Sequence, residues 1–181
     1  MKNNPLFKIC LFTMLLFFSI KAASQNFPDL DASPLDAASY PSSYKVSDKL
    51  IKVIYSRPQL KGRQLSKLTP KYEVWRTGAN EATQITFFKD ATLGTTKIKA
   101  GTYSLFSIPD DKEWTVIINS DTNQWGAYTY DKGKDVARLK VPVKESKSTI
   151  EAFSIAFDET DNGATMYMGW GDVVVAVPFK I

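Results

Sequence analysis

The stretch AGTYSLFSIPDDKEWTVIIN, from Ala100 to Asn119, decides the fold. Two runs rich in Thr, Tyr, Phe, Val and Ile, Gly101–Ile108 and Glu113–Asn119, flank Pro109-Asp110-Asp111. β-Branched and aromatic side chains suit a pleated, half-buried surface, and Pro-Asp-Asp is turn chemistry. The stretch therefore reads as two strands and their connection. Further out, Ile51, Val53 and Tyr55 alternate with Lys52, Ile54 and Ser56, and Ala137, Leu139, Val141 and Val143 alternate with Arg138, Lys140, Pro142 and Lys144. Such a period of two is a strand with one wet face. Pro142 has no N–H to give a ladder, which predicts that its strand lies at a sheet edge. Further strands are expected at residues 84–89, 149–158, 164–170 and 172–179, with turns at Asp131-Lys132-Gly133, Asp161-Asn162-Gly163 and Gly171-Asp172. Only residues 64–68 read as helical, and Pro70 limits them. About eight short strands and at most one short helix predict an all-β domain over residues 44–181, a single antiparallel β-sandwich of jelly-roll type.

The ends of the chain set the compartment. Lys2 and Lys8 precede an apolar run from Ile9 to Ile20, and Ala22-Ala23-Ser24 supplies small residues for cleavage before Gln25. Residues 1–24 thus read as a signal peptide, too short in apolar length to be a good membrane anchor. Export to the periplasm or beyond is expected, with no membrane span after cleavage. Residues 25–43 carry Pro28, Pro34 and Pro41 among Asp, Ser and Ala, and read as an extended lead-in.

Cleavage also resets the chemistry. Losing Lys2, Lys8 and Lys21 takes the basic count from 23 to 20 against 19 acids, so the net charge drops from +4 to near +1. The basic balance of the whole chain is then no argument for nucleic acid as a partner. The chain has no His, and its one Cys lies in the leader. A mature domain without either cannot hold a disulfide, a Cys–His or Ser–His–Asp nucleophile, or a zinc site built on imidazole or thiolate. No cofactor motif is present. Carboxylate, lysine, tyrosine, arginine and hydroxyl chemistry, or hard metal ions with oxygen ligands, remains.

Polar residues crowd residues 55–83. Between Arg57 and Arg76 stand six basic residues (Arg57, Lys61, Arg63, Lys67, Lys71, Arg76) against one acid, Glu73. Arg76 offers a planar donor fork to a carboxylate, sulfate or phosphate. Beside it Asn80 donates and accepts, Glu81 accepts or acts as a base, and Trp75 can serve as an apolar platform. The same residues also fit a structural role, with an Arg–Glu pair and an Asn tying a tight loop while Trp75 sits in the core. Trp125 and Tyr128, in Gln124-Trp125-Gly126-Ala127-Tyr128, can stack on a sugar ring, or else Trp125 plugs one end of the sandwich and Gly126 makes a bulge. Asp158-Glu159-Thr160-Asp161-Asn162-Gly163 starts like a calcium loop, but its twelfth place is Gly169 and a hairpin explains it better, so no metal is expected there.

YSRPxxKGR, VWRTGANEAT, AGTYSLFSIP, EWTVIIN and QWGxY occur in this order between Tyr55 and Tyr128. Together they resemble an exported bacterial family, the domain of unknown function numbered 2911, frequent among Bacteroidetes. The resemblance covers roughly residues 42–179. It implies an exported, mostly β domain, and it marks Arg57, Lys61, Arg63, Trp75, Arg76, Asn80, Glu81 and Thr83 as signature positions. It implies no particular reaction.

Three functions are therefore weighed. The first is a non-catalytic binding module for a carbohydrate or small anionic ligand, built from those eight residues with Trp125 and Tyr128. The second is a carboxylate-based hydrolase or lyase with Glu81 as acid or base and Tyr128 or Lys61 assisting, Glu73 and Glu113 being the other carboxylates to test. The third is a structural subunit of an envelope assembly, with a protein partner on the signature stretch.

Overall fold

A computed structural model describes residues 25–181. The leader expected at residues 1–24 lies outside the described residues. Residues 25–30 carry no regular structure, with Phe27 and Leu30 exposed. Asp31–Ile181 forms the folded unit.

Among the described residues there are nine strands: β1 (Leu35–Tyr40), β2 (Ile51–Ser56), β3 (Thr83–Phe87), β4 (Ala91–Leu93), β5 (Thr96–Ile98), β6 (Gly101–Ile108), β7 (Glu113–Asn119), β8 (Asp135–Thr160) and β9 (Gly163–Lys180). All pair antiparallel in one open sheet of order β1-β2-β3-β6-β7-β8-β9-β4-β5. The all-β class is as expected. The strands belong to one hydrogen-bonded sheet, not closed into a barrel, in place of about eight strands shared between two sheets. Among the described residues, helical structure is limited to 3-10 turns at Leu65–Lys67 and Lys132–Lys134. β1 falls inside the stretch read as a lead-in. It pairs along β2 from Leu35 opposite Ser56 to Tyr40 opposite Ile51, and Tyr40 is buried beside Phe157.

The long strands β8 and β9 explain how one sheet encloses a core. The first part of β8 pairs with β7, ending at Pro142 opposite Glu113, and the next residue, Val143, already pairs with Val175 of β9. The edge position read from Pro142 is therefore wrong; β8 lies between β7 and β9, and the edges are β1 and β5. Proline is tolerated there because it stands where one ladder gives way to the next. Register shifts on both sides of Ile150 then bend β8, and Gly171 at φ +60° bends β9 opposite it. The turn expected at Gly171-Asp172 is thus a bend inside one strand. β9 doubles back far enough for the Ile181 N–H to donate to the Asn162 carbonyl at 3.0 Å.

Folded in this way, the inner sides of distant strands meet. Tyr55 of β2 lies edge-on to Phe153 of β8, and Phe87 of β3 edge-on to Phe179 of β9. Ile51, Val53, Ile85, Leu105, Val116, Ile118, Met166 and Val177 fill the space between. β6 and β7 are buried on both faces. Phe106 and Ile117, paired in register, point away from this core into a second small cluster with Ala82. Loops must cover that face.

The doubled ladder makes a test. An added Cβ at Gly163 would overlap the backbone carbonyl of Phe179, whereas one at Gly171 meets only Leu65 side-chain atoms from 3.4 Å outward. Gly171→Ala should cost about 1–2 kcal/mol for its positive φ alone. Gly163→Ala should cost at least about 2–4 kcal/mol, because backbone must move. Urea denaturation of both variants measures the difference, and equal losses would contradict the packing of the β8–β9 turn on the end of β9.

Candidate functional site

Residues 57–82 join β2 to β3 without a strand of their own, an unusual length for a connection inside a compact domain. The loop is nevertheless pinned at three places. Gln59 bridges to Ala152 of β8, Trp75 to Ser107 of β6, and Glu81 to Trp125 in the loop after β7. Trp75 is its anchor. The buried indole stacks 5.9 Å from Trp170, and meets Trp114 at 5.8 Å and Phe153 at 5.2 Å edge-on. Aromatic pairs of this geometry contribute about 0.5–1.5 kcal/mol each beyond the area they bury.

Side by side with this loop runs the connection from β7 to β8, residues 120–134. Gly126 N–H donates to Asn80 O at 3.0 Å and Ala82 N–H to Gln124 O at 2.8 Å. Val74, Ala127 and Tyr130 pack on Phe106 and Ile117, covering the outer face of β6 and β7. Tyr130 also donates to Asp135 at 2.7 Å. Burial first, and then that hydrogen bond and the charge of Asp135, push the Tyr130 hydroxyl well above the ordinary phenol range. Five non-glycine residues have positive φ: Lys61, Tyr72, Thr77 and Asn80 in the first loop and Asn123 in the second. Every such residue among the described ones lies in these two loops.

The loops wall a cleft of about 470 Å³ whose lining includes Arg63, Glu73, Trp75, Arg76 and Tyr128. A smaller hollow of about 330 Å³, lined by Asp31, Asn80, Glu81 and Trp125 among others, shares Ser33 with it. The structure therefore brings together seven of the ten residues singled out in the sequence: Arg63, Trp75, Arg76 and Tyr128 in the cleft, and Asn80, Glu81 and Trp125 in the hollow. Trp125 is 60% exposed and so does not plug the domain, and Tyr128 is 80% exposed. Trp75 presents only the rim of a core side chain.

Three residues stand outside these cavities. Arg57 donates Nη1 to Asp36 at 2.9 Å, Nε to Phe153 O at 3.0 Å and Nη2 to Ser154 at 2.7 Å, tying β1 and β8 to the end of β2. Thr83 is buried, its hydroxyl donating to Thr77 O at 2.7 Å. Lys61 gives its backbone N–H to Glu151 at 2.7 Å and is exposed. The Arg–Glu pair weighed for the loop does not form, since Arg76 Nη1 donates to Asn80 O at 3.0 Å instead.

Sequence reasoning missed Asp31 and Ser33. Asp31 accepts from Ser33 N–H at 2.6 Å and from Asn80 Nδ2 at 3.1 Å, and those two bonds hold its carboxyl below the usual range. The only available signal was Asp-Ala-Ser within a proline-rich lead-in, a local turn pattern that says nothing of the distant loop it meets.

The family model described as "Protein of unknown function (DUF2911)" matches residues 33–179. No curated protein and no solved structure matches the chain. Among the described residues, no helix is long and apolar enough to cross a membrane.

Scaffold and cleft residues should separate by stability. Arg57→Ala removes three hydrogen bonds, one of them the ion pair with Asp36, and should cost about 2–3 kcal/mol, whereas Arg76→Ala removes one bond and should stay within about 1 kcal/mol. Denaturant midpoints test this, and a larger loss for Arg76→Ala would make Arg76 part of the scaffold. Tyr130 adds a pH test. Because folding raises its pKa, its contribution is complete below the unfolded value and is lost as pH rises above it, from about pH 10 upward. Tyr130→Phe should flatten the alkaline fall in unfolding free energy, and an unchanged slope would dissociate Tyr130 from it.

Proposed function

We propose, for a chain that belongs to the DUF2911 family of proteins of unknown function, a non-catalytic binding role with the cleft and the adjoining hollow at the two loops as its ligand site. The ligand class is a carbohydrate or small anionic molecule, and the balance of groups favours the carbohydrate. The observation that carries this reading is the pair of exposed aromatics, Trp125 and Tyr128, standing beside polar side chains on loops held by backbone pairing and buried anchors. An exposed indole and phenol offer apolar faces to a sugar ring, while Glu73, Asn80, Glu81 and Arg76 supply donors and acceptors for hydroxyls. The use of Arg57 in the scaffold weakens the purely anionic alternative, because its donors are already spent on the fold. Positive φ at five loop residues supports the same reading, since sparsely populated backbone persists where surrounding structure over-determines it, often at binding sites. Export through the leader read from residues 1–24, to the periplasm or beyond, belongs to this proposal, since glycans are abundant there.

Thermal unfolding of the protein against neutral glycans, acidic glycans and inorganic anions tests it. A ligand bound only by the native state at a hundredfold excess over its Kd adds about 2.7 kcal/mol, a rise of several degrees. That rise should disappear in Trp125→Ala and Tyr128→Ala, whose unliganded midpoints should stay within about 2 °C of the parent because both side chains are exposed. No shift with any of these compounds, or a shift untouched by both variants, would remove the cleft and the adjoining hollow as the site.

A further inference from the structure

The four arginines of the chain divide sharply by what they meet. Arg57 pairs with Asp36 and Arg138 with Asp135, so two guanidiniums are neutralised within the fold. The other two, Arg63 and Arg76, have no carboxylate partner among the described residues, and both line the same cleft. Their remaining contacts are with backbone carbonyls. Arg63 donates Nε to Leu60 O at 2.9 Å and Nη2 to Gln59 O at 2.8 Å, and Arg76 donates Nη1 to Asn80 O at 3.0 Å. Such bonds orient a guanidinium without cancelling its charge. Arg76 keeps Nε and Nη2 unengaged among the described residues, which is one side of the planar fork that meets a carboxylate in two parallel bonds.

The geometry points to a more specific ligand: an acidic sugar, of the uronic acid type, whose carboxylate is received by Arg76 with Arg63 beside it while its ring rests on Tyr128. This inference rests on the binding role proposed above and names the class of ligand for that same cleft. Charge supports it. Glu73 is the acidic side chain lining the cleft, against two unpaired guanidiniums, so one positive charge is left over where an aromatic face is also offered. A neutral sugar would leave that charge unmatched. An inorganic anion would match it but make no use of Tyr128. The volume of about 470 Å³ is of the size that takes a small ligand and admits more than a single small ion. Asp31 and Glu81 line the neighbouring hollow and not the cleft itself, and Asp31 is held there by Asn80 Nδ2 at 3.1 Å.

The test is isothermal titration calorimetry of the protein with three probes: a galacturonic acid trisaccharide, its fully methyl-esterified counterpart, and sodium sulfate. The acid should bind at least about tenfold more tightly than the ester. Its affinity should fall by about tenfold or more in Arg76→Gln and in Arg63→Gln, and weaken as salt is raised. Arg76→Lys keeps the charge but loses the fork, and should recover only part of the affinity. The thermal midpoint of each variant shows that the fold is intact. Equal affinity for acid and ester would overturn the acidic-sugar inference and leave the carbohydrate-binding role standing. Sulfate binding as tight as the acid, with no effect of Tyr128→Ala, would also overturn it and reduce the cleft to an anion site. If neither trisaccharide binds, both this inference and the carbohydrate reading fall.

Discussion

The structure depends on one aromatic packing arrangement, the indole of Trp75 held among Trp114, Trp170 and Phe153. Those partners come from β7, β9 and β8, so a side chain from a strandless loop touches three strands of the folded sheet. The consequence is twofold. The doubled β8–β9 ladder is closed against the rest of the sheet at that point, since Phe153 of β8 and Trp170 of β9 meet each other beside the bend. The loop also acquires a fixed origin. From Trp75 the chain continues into Arg76, Thr77 and Gly78, whose places are set by Thr77 burying its hydroxyl on Ser107 at 2.9 Å. Without that anchor, a connection of this length would pay the full conformational entropy of ordering for little buried surface.

Hydrogen bonding continues what packing begins. Arg57 and Thr83 stand at the two ends of the loop and spend their donors on backbone and side-chain acceptors of the scaffold. Tyr55 accepts from Ile155 N–H at 3.0 Å, joining the end of β2 to the same bent segment of β8 that Arg57 reaches. The cleft arginines belong to a different economy, bonded to carbonyls that steer them and leave charge over. The dense run of basic residues in the sequence therefore divides by role. Arg57 maintains the junction of β1, β2 and β8, and Lys71 pairs with Asp111. Arg63 and Arg76 line the cleft.

Much of this was readable in the chain, and the limits have physical causes. β6 and β7 match their expected bounds because each combines β-forming residues with strong punctuation by Pro109-Asp110-Asp111 and Ala100-Gly101. The long strands were read as pieces because local signals report a change of direction without saying whether hydrogen bonding continues across it. Gly171 marks a real bend, but only the register with β8 shows that the ladder goes through. Pro142 misled for a related reason: its missing donor speaks of one peptide unit, and a changeover between partners satisfies it as well as an edge does. Of the site, the residue types were legible and their division was not. Nothing local distinguishes Arg57, paired with Asp36, from Arg76, paired with no acid. That difference comes from strands brought together by topology, as does the arrival of Asp31 at Asn80.

The way the loops are held also bears on what they can recognise. A ligand met by mobile loops must offset their ordering before any contact shows as affinity, at roughly 0.5–1.5 kcal/mol for each side chain immobilised. Here the backbone of both loops is already fixed, by the bridges at Gln59, Trp75 and Glu81 and by the shared cluster around Phe106 and Ile117. The cost left for binding falls on the side chains at the surface, and these are of two kinds. Tyr128 and Trp125 have few rotatable bonds and lose little on contact. Arg63 and Arg76 are long, but carbonyl bonds already restrain their guanidinium ends. A shallow cleft with so little left to order suits a ligand that offers few contacts of its own, such as one or two sugar rings, better than a large partner that would need to bury much more surface than these two loops present.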